Sequence, residues 1–393
     1  MSAPLHARVH GAGPTGALTA LALAQAGWQV SLHDPLDRAT LLARSRAYAL
    51  THSSRALLRR LDLWEALEPL LVPFRHLQLR DLGSGADAAF TSPDLGADLV
   101  ARSGGALGWI VLHGPLMGRL LQALDAQPAV QLALGQPVAG PASDLPTNLP
   151  VDLLVAADGP GSPTRRALGI GQWRWPYRQA CLTVQVELRG SHADEAWELL
   201  RPEGPFAVLP LGARRAQVVW SAPAGRCHQL EALDGPAFLD RLAAALPDRL
   251  QPDALIDRPR AFPVSLELAH RLQRGHTVLV GESAHRCHPV GGQGLNLCWR
   301  DVDVLHRLAL RTAQGRLRST RLASAYARRR WPDLLLTLLA TDLLVRLFSN
   351  RQPLLLPLRR LVLALLASSE PLRRLALGVM THGPCRPLPA TAP

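Results

Sequence analysis

Gly11, Gly13 and Gly16 stand in the order G-x-G-x-x-G between a short apolar stretch ending at Val9-His10 and an Ala/Leu-rich stretch over residues 17–26 that stops at Gly27. Read as strand, glycine turn and helix, this spacing lets Gly11 make the tight turn, Gly13 admit a pyrophosphate to the backbone and Gly16 bring helix and strand together. The helix then opens at Pro14 and Thr15, with its first N–H groups aimed at the phosphates. A second predicted strand, residues 28–33, runs into Asp34 about twenty residues on, where a carboxylate can hold a ribose by its hydroxyls. The chemistry these residues suit is dinucleotide binding. Arg8, His10, Ser31 and His33 cut across it, because strands buried on both faces should be continuously apolar.

Two later segments have the same form. Residues 151–157 are a short apolar strand ending in Asp158-Gly159. Residues 277–280 are another, followed by Gly281-Glu282 and a loop through His285, His288, Pro289, Val290, Gly292 and Gly294. That loop leads into a predicted helix from about Leu295 through Asp301 to Leu310. The free N–H groups at such a helix start stabilise negative charge placed against them.

The 393-residue chain carries 43 basic residues against 31 acidic ones, a net charge of +12, and every basic residue is arginine. With no lysine there is no Schiff-base chemistry and no Walker-type phosphate loop. The charge permits phosphate-bearing cofactors, nucleic acid or an anionic membrane surface as partners. No nucleic-acid motif accompanies it, so nucleic acid is not expected. Five cysteines without a repeat, and no leader-like start, predict a reduced, cytoplasmic setting. The longest apolar run, residues 334–348, is broken by Thr337, Thr341, Asp342 and Arg346, too short to span a bilayer. His285, Cys287, His288 and Cys298 fit no common zinc spacing, so no metal is expected.

Taken together the three motifs resemble those of the p-hydroxybenzoate-hydroxylase-like, class A flavoprotein monooxygenases, and within them the aromatic hydroxylases of ubiquinone biosynthesis. Gly11-x-Gly13-x-x-Gly16 resembles the FAD fingerprint and Asp158-Gly159 the DG motif. Gly281-Glu282 through Asn296 resembles the GD motif with its His-x-x-His-Pro and Gly-Gln-Gly-x-Asn tail. Arg46-Ala47-Tyr48-Ala49-Leu50 is similar to the segment whose arginine contacts the cofactor, and Tyr177-Arg178-Gln179 to the start of the substrate domain. Residues 326–350 are similar to the C-terminal helical tail. The chain departs from the family in carrying Glu282 for aspartate, Asp34 for the commoner glutamate, and no arginine around Leu112-His113-Gly114.

The resemblance implies an α/β protein: a three-layer Rossmann-like FAD-binding domain, an inserted β-rich substrate domain and C-terminal helices. Residues 1–75, 99–176 and 271–312 would form the first, residues 76–98 and 177–270 the second, and residues 313–393 the helical region and tail. It implies non-covalent FAD held by Gly11, Gly13, Pro14, Thr15, Gly16, Asp34, Arg46, Asp158, Gly159, Gly281, Glu282, Gly292, Gly294, Leu295 and Asn296. NAD(P)H would be a transient co-substrate with no Rossmann domain of its own.

The implied reaction is hydroxylation of a (poly)prenylated phenol for ubiquinone or plastoquinone, with O₂ carried as the flavin C4a-hydroperoxide. The flavin does the chemistry and the protein supplies position, charge and dryness. The amides of Gly294, Leu295 and Asn296 would face the flavin's N1 and C2 oxygen, and Pro289 with Val290 its oxygen-reacting side. Tyr177 would orient a phenol or pack at the domain junction. The alternatives are an FAD-dependent dehydrogenase or polyprenyl reductase of the same fold and, more remotely, a basic nucleic-acid-binding protein. The leucine clusters and the pairs Arg359-Arg360 and Arg373-Arg374 read either as a basic amphipathic surface resting on the cytoplasmic face of a membrane or as helices packed on the flavin domain.

Overall fold

The strands His6–His10 and Gln29–Asp34 pair in parallel and are joined by the helix Pro14–Gln25. That helix is apolar on every side because it is covered on every side, with Gly16 through Ala24 buried between the sheet and the helix Gln293–Ala313. Each buried leucine there, such as Leu18 or Leu23, contributes about 1.5–3 kcal/mol. The structure, a computed structural model, describes residues 4–136, 151–190 and 192–385. Residues 137–150, within the stretch expected in the flavin domain, lie outside the described residues.

The six-stranded sheet runs in the order Gln273–Arg274, Thr277–Leu279, Leu153–Ala156, His6–His10, Gln29–Asp34, Val130–Leu134. The strands that feed the three motifs are therefore neighbours. All three run parallel, so the loops that follow them leave the same edge of the sheet. One of the polar interruptions is used through its side chain: His10 Nδ1 shares a 2.9 Å hydrogen bond with the Thr164 hydroxyl, tying the first motif to the loop after Asp158. The His33 carbonyl accepts the Gly11 N–H at 2.7 Å.

The larger sheet has nine strands, most of them antiparallel, and includes His76–Asp81 and Asp87–Thr91 beside Glu195–Leu200, Phe206–Pro210, Arg215–Pro223 and Arg260–Ala269. Its longest strand, Gln172–Arg189, begins five residues before the boundary expected at Tyr177 and takes in Trp173-Arg174-Trp175-Pro176. A register shift between Pro176 and Ala180, with Arg178 at φ 55°, bends the strand at that point. Residues 92–98 were expected in this sheet, but Ser92–Leu95 is a 3-10 turn and Ala97–Ser103 a helix. A third, small sheet pairs Ala47–Leu50 with Gly108–Leu112 and Val72–Phe74.

After the helix Ser319–Phe348, the helices Leu356–Ser368 and Glu370–His382 pack on the large sheet through Leu363 and Leu377. These helices thus pack mainly on the large sheet rather than on the flavin domain, and each arginine pair is split between the two sides. Arg359 turns inward to the Leu347 and Asn350 carbonyls and Arg373 to Asp94, while Arg360 and Arg374 stay outside. Among the described residues no helix is long and apolar enough to cross a membrane.

Candidate active site

The loops leaving the six-stranded sheet border one cavity of about 1530 Å³, well above the few hundred to thousand Å³ of a typical small-molecule site. Gly11, Gly13, Pro14, Thr15 and Asp34 line one end, and Arg46, Asp158, Gly159 and Glu282 line it further on. Pro289, Val290, Gly292, Gly294 and Leu295 face the same space. The large sheet covers it with Leu77, Leu79, Ala196, Glu198, Leu200, Ala207 and Leu209. Leu365, Leu372 and Leu375 both line the cavity and are exposed, so its mouth opens among the C-terminal helices.

At the first end the backbone is tightly held. Gly11 has φ 96°, and a Cβ there would lie 2.3 Å from the Ala157 carbonyl, so the first and second motifs touch through a glycine. Asp34 is buried, its Oδ2 accepting the Ala12 N–H at 2.6 Å and its Oδ1 the Leu36 N–H at 2.8 Å, with lone pairs left for a ligand in the cavity. Asp158 accepts the Ser162 hydroxyl and, at 2.9 Å, the Thr164 N–H, which fixes the turn into the short helix Pro163–Ala167.

Two helix starts face the cavity without a side-chain cap, at Gly13 and at Gly292. A Cβ placed on Gly13 or Gly294 meets no atom within 4 Å. Those glycines answer no packing need; they leave room beside N–H groups that carry partial positive charge. This is the cradle an anionic dinucleotide requires, and the residues present fit FAD.

The third loop is anchored from behind. Asp301, fully buried, accepts the Gly281 N–H and His285 Nε2 on one oxygen, each at 2.7 Å, and Arg330 Nε on the other at 2.6 Å. Burial alone would push this carboxyl up, but His285 and Arg330 hold it below its usual range. The Ser283 hydroxyl donates to the Ala156 carbonyl at 2.6 Å, leaving Glu282 between two pinned residues to face the cavity. Further on, His288 Nδ1 accepts the Val290 N–H and its Nε2 donates to Gln179 Oε1, both at 3.2 Å. Burial lowers this imidazole to about 3, so it stays neutral and acts as a bracket for the loop.

Four expected residues lie off the cavity lining. Gly16 and Gly281 are packed within the fold, as their close neighbours require. The Asn296 side chain, 0% exposed, points away from the cavity: Nδ2 donates to the Ala49 and Gly292 carbonyls, and Oδ1 accepts from Thr51 and the Ser54 hydroxyl. It ties the small sheet to the helix start. Tyr177 is a junction residue and not a cavity residue; its hydroxyl donates to Asp342 Oδ1 at 2.9 Å and its ring meets His288 edge-on. Burial, then Asp342, push this phenol above its ordinary range. Near Leu112, where the family's arginine is absent, His113 links the Tyr48 hydroxyl to the Leu41 carbonyl.

Residues the motifs did not announce are Glu198, on a strand of the large sheet, and Met380 and Thr381 near the C-terminus, which line the cavity although hundreds of residues separate them from the first glycine. Glu198 had one signal: a carboxylate at an alternating position that otherwise carries Ala196 and Leu200.

Comparison with known proteins agrees with this geometry. The FAD binding domain family matches residues 138–332. The chain is 30% identical to the 3-demethoxyubiquinol 3-hydroxylase of Escherichia coli, over 95% of this chain and 97% of that protein. It is 32% identical to the ubiquinone hydroxylase UbiL of Rhodospirillum rubrum, over 95% of this chain and 90% of that protein. Its fold is shared with the crystal structure of p-nitrophenol 4-monooxygenase PnpA from Pseudomonas putida, with a TM-score of 0.78 at 18% identity, covering 98% of this chain and all of that one. With three motifs meeting at one cavity and relatives matched along nearly their whole length, the chain belongs to the class A flavoprotein monooxygenases, in the branch of the ubiquinone-biosynthesis hydroxylases, as an FAD-dependent enzyme that takes its electrons from NAD(P)H.

Proposed function

We propose that this enzyme hydroxylates the aromatic ring of a prenylated phenol on the way to a quinone. The observation that carries the reading is the single cavity joining the glycine turn at Gly11 to a leucine-lined mouth at Leu365, Leu372 and Leu375. FAD, when bound, brings electrons from NAD(P)H to O₂ and supplies the oxygen atom that enters the ring. The helix start at Gly13, Pro14 and Thr15 would hold its phosphates, Asp34 its ribose, and Arg46, Asp158 and Glu282 the stretch between. The N–H groups of Gly294 and Leu295 would stabilise negative charge on the reduced ring, with Pro289 and Val290 beside the site of oxygen transfer. Leu77, Leu79, Ala207 and Leu209 exclude water there.

An isoprenoid tail belongs in the leucine mouth, and its natural source is a bilayer. Leu335, Leu336, Leu339, Leu343, Leu354 and Leu361, on and beside the C-terminal helices, are between 46% and 89% exposed, and exposed apolar side chains of this kind suit contact with an apolar partner. With a chain of net charge +12, the surface that fits is an anionic membrane, touched and not crossed.

The test is oxidation of NAD(P)H by purified, FAD-loaded protein with and without a short-chain prenylphenol, followed by mass analysis. A product heavier by one oxygen supports the reading. Oxidation indifferent to every prenylphenol, with all reducing equivalents released as peroxide, overturns it.

A further inference from the structure

Glu198 lies on Glu195–Leu200, whose residues Ala196, Trp197, Glu198 and Leu200 line the cavity. Its register partners on the two adjacent strands are Ala207 and Leu79, which also line the cavity. Among the cavity residues that the strands of this sheet from His76 to Ala269 supply, Glu198 is the one with an ionisable side chain. An apolar wall broken by one carboxylate is costly unless the carboxylate has partners. The loop between Pro289 and Gly292 lines the same cavity, and its Gly291 N–H favours the charged form of this carboxyl. That places the carboxyl against the loop expected to flank the oxygen-transfer side of the flavin, with the rest of its acceptor capacity open to the cavity.

Its electrostatic setting is simple. The facing groups on the adjacent strands, Ala207 and Leu79, and on the loop, Pro289, Val290 and Gly291, do not titrate. The Cys181 thiol senses Glu198; burial pushes it up to about 12 and keeps it neutral. Burial pushes the Glu198 carboxyl up to about 7 against the opposing effect of the Gly291 N–H.

We propose that Glu198 is the residue that receives the phenolic hydroxyl of the substrate and removes its proton, so that the ring is presented to the oxygen donor as a phenolate. This rests on the prenylated-phenol reading above. In the step, the substrate O–H bond breaks, the proton joins the Glu198 carboxylate, and the bonding pair stays on the phenolic oxygen. From there it is delocalised to the ring carbons ortho and para to it, which are the carbons an electrophilic oxygen attacks. A carboxyl raised toward neutrality is better matched to a phenol than an exposed one, since proton transfer is most efficient between groups of similar affinity. The same contact fixes which face and edge of the ring meet the Pro289 loop.

The test uses the FAD-loaded enzyme, an ortho-prenylated phenol and the methyl ether of that phenol, with binding followed through the flavin absorption band. The wild type is expected to bind the phenol about tenfold or more tightly over the ether, the usual worth of a hydrogen bond to a charged group. Oxygen insertion should rise with pH through about 7, where the carboxyl loses its proton. Glu198→Gln keeps an acceptor for the Gly291 N–H but not the proton affinity. It should retain FAD, lose the preference for phenol over ether, lose the pH step, and release peroxide in place of hydroxylated product. Glu198→Asp should restore part of both the preference and the pH step. Folded Glu198→Gln with the wild-type preference and pH profile overturns the proposal. So does the same result in Glu198→Asp and Glu198→Gln alike, whereas a wild type that responds to no prenylated phenol overturns the substrate reading and this step with it.

Discussion

Asp301 and His285 meet at 2.7 Å with both side chains buried, and the same Asp301 oxygen accepts the Gly281 N–H. The third motif is thus held by a carboxylate twenty residues beyond its first glycine, with Arg330 from the next helix closing the cluster and Asp333 joined to Arg330 and Arg300. Asp301→Asn keeps the shape and removes the charge that Arg330 faces. We expect a loss of about 3–5 kcal/mol, the range for breaking a buried pair, and a fall in bound FAD. A urea titration with FAD content measured on the same samples checks it; an unchanged midpoint refutes it.

Glycines of the first motif should separate by role. Gly13 has φ −64° and open space before it, so Gly13→Val is expected to leave the stability of the FAD-free protein within about 0.5 kcal/mol while sharply reducing FAD retention. Gly11→Ala must enter the left-handed region against the Ala157 carbonyl and should cost at least about 1 kcal/mol in stability itself. Thermal melts of both variants with and without added FAD distinguish the two effects.

Tyr177→Phe removes a hydroxyl that donates to Asp342 outside the cavity lining. The expected result is a stability loss of about 1–2 kcal/mol with kcat unchanged for a prenylphenol. A large fall in kcat at unaltered stability would put the hydroxyl on the substrate after all.

Acid should weaken the fold early. Burial lowers His10 and His306 to about 4, and His52 and His288 to about 3. Their unfolded value is about 6.5, so between that pH and the lowered values the unfolded chain binds protons the folded one refuses. Stability is therefore full above about pH 6.5 and declines below it, by about 1.4 kcal/mol per pH unit for each such proton. Melting temperatures recorded across this window, with His288→Gln expected to flatten the slope, provide the check.

The exposed leucines predict a membrane-binding face. Wild-type protein should float with vesicles containing anionic lipid, and less so at high salt, as expected for a basic surface. Replacing Leu339, Leu343 and Leu361 by serine should abolish flotation without affecting FAD content, because all three lie outside the buried core. Equal flotation of both proteins would count against this face.

Much of the cofactor end could be read directly from the chain because it depends on local geometry. The turn at Gly11, the uncapped helix start at Gly13 and the strand ending at Asp34 all lie within a few dozen residues, and their spacing is their structure. The third loop was legible in the same way, its helix beginning at Gln293, two residues before Leu295. Asn296 was legible as an important residue but not as a structural one: which face of a helix start meets the Ala49 carbonyl depends on a strand some 250 residues earlier in the chain.

The substrate end is of another kind. Ala196, Leu79 and Leu377 come from three distant segments and carry no pattern beyond ordinary burial, so nothing local marks them as walls of one space. Glu198 went unmarked, and Tyr177 stayed open between substrate and domain junction, for the same reason. A polar side chain on a strand can point to either face, and only the pairing of that strand with His76–Asp81 and Phe206–Pro210, and the packing of the C-terminal helices across it, turns Glu198 inward to the cavity and leaves Tyr177 on Asp342. Motif spacing records short-range backbone geometry, whereas the shape of a cavity is set by long-range packing that many sequences satisfy equally well.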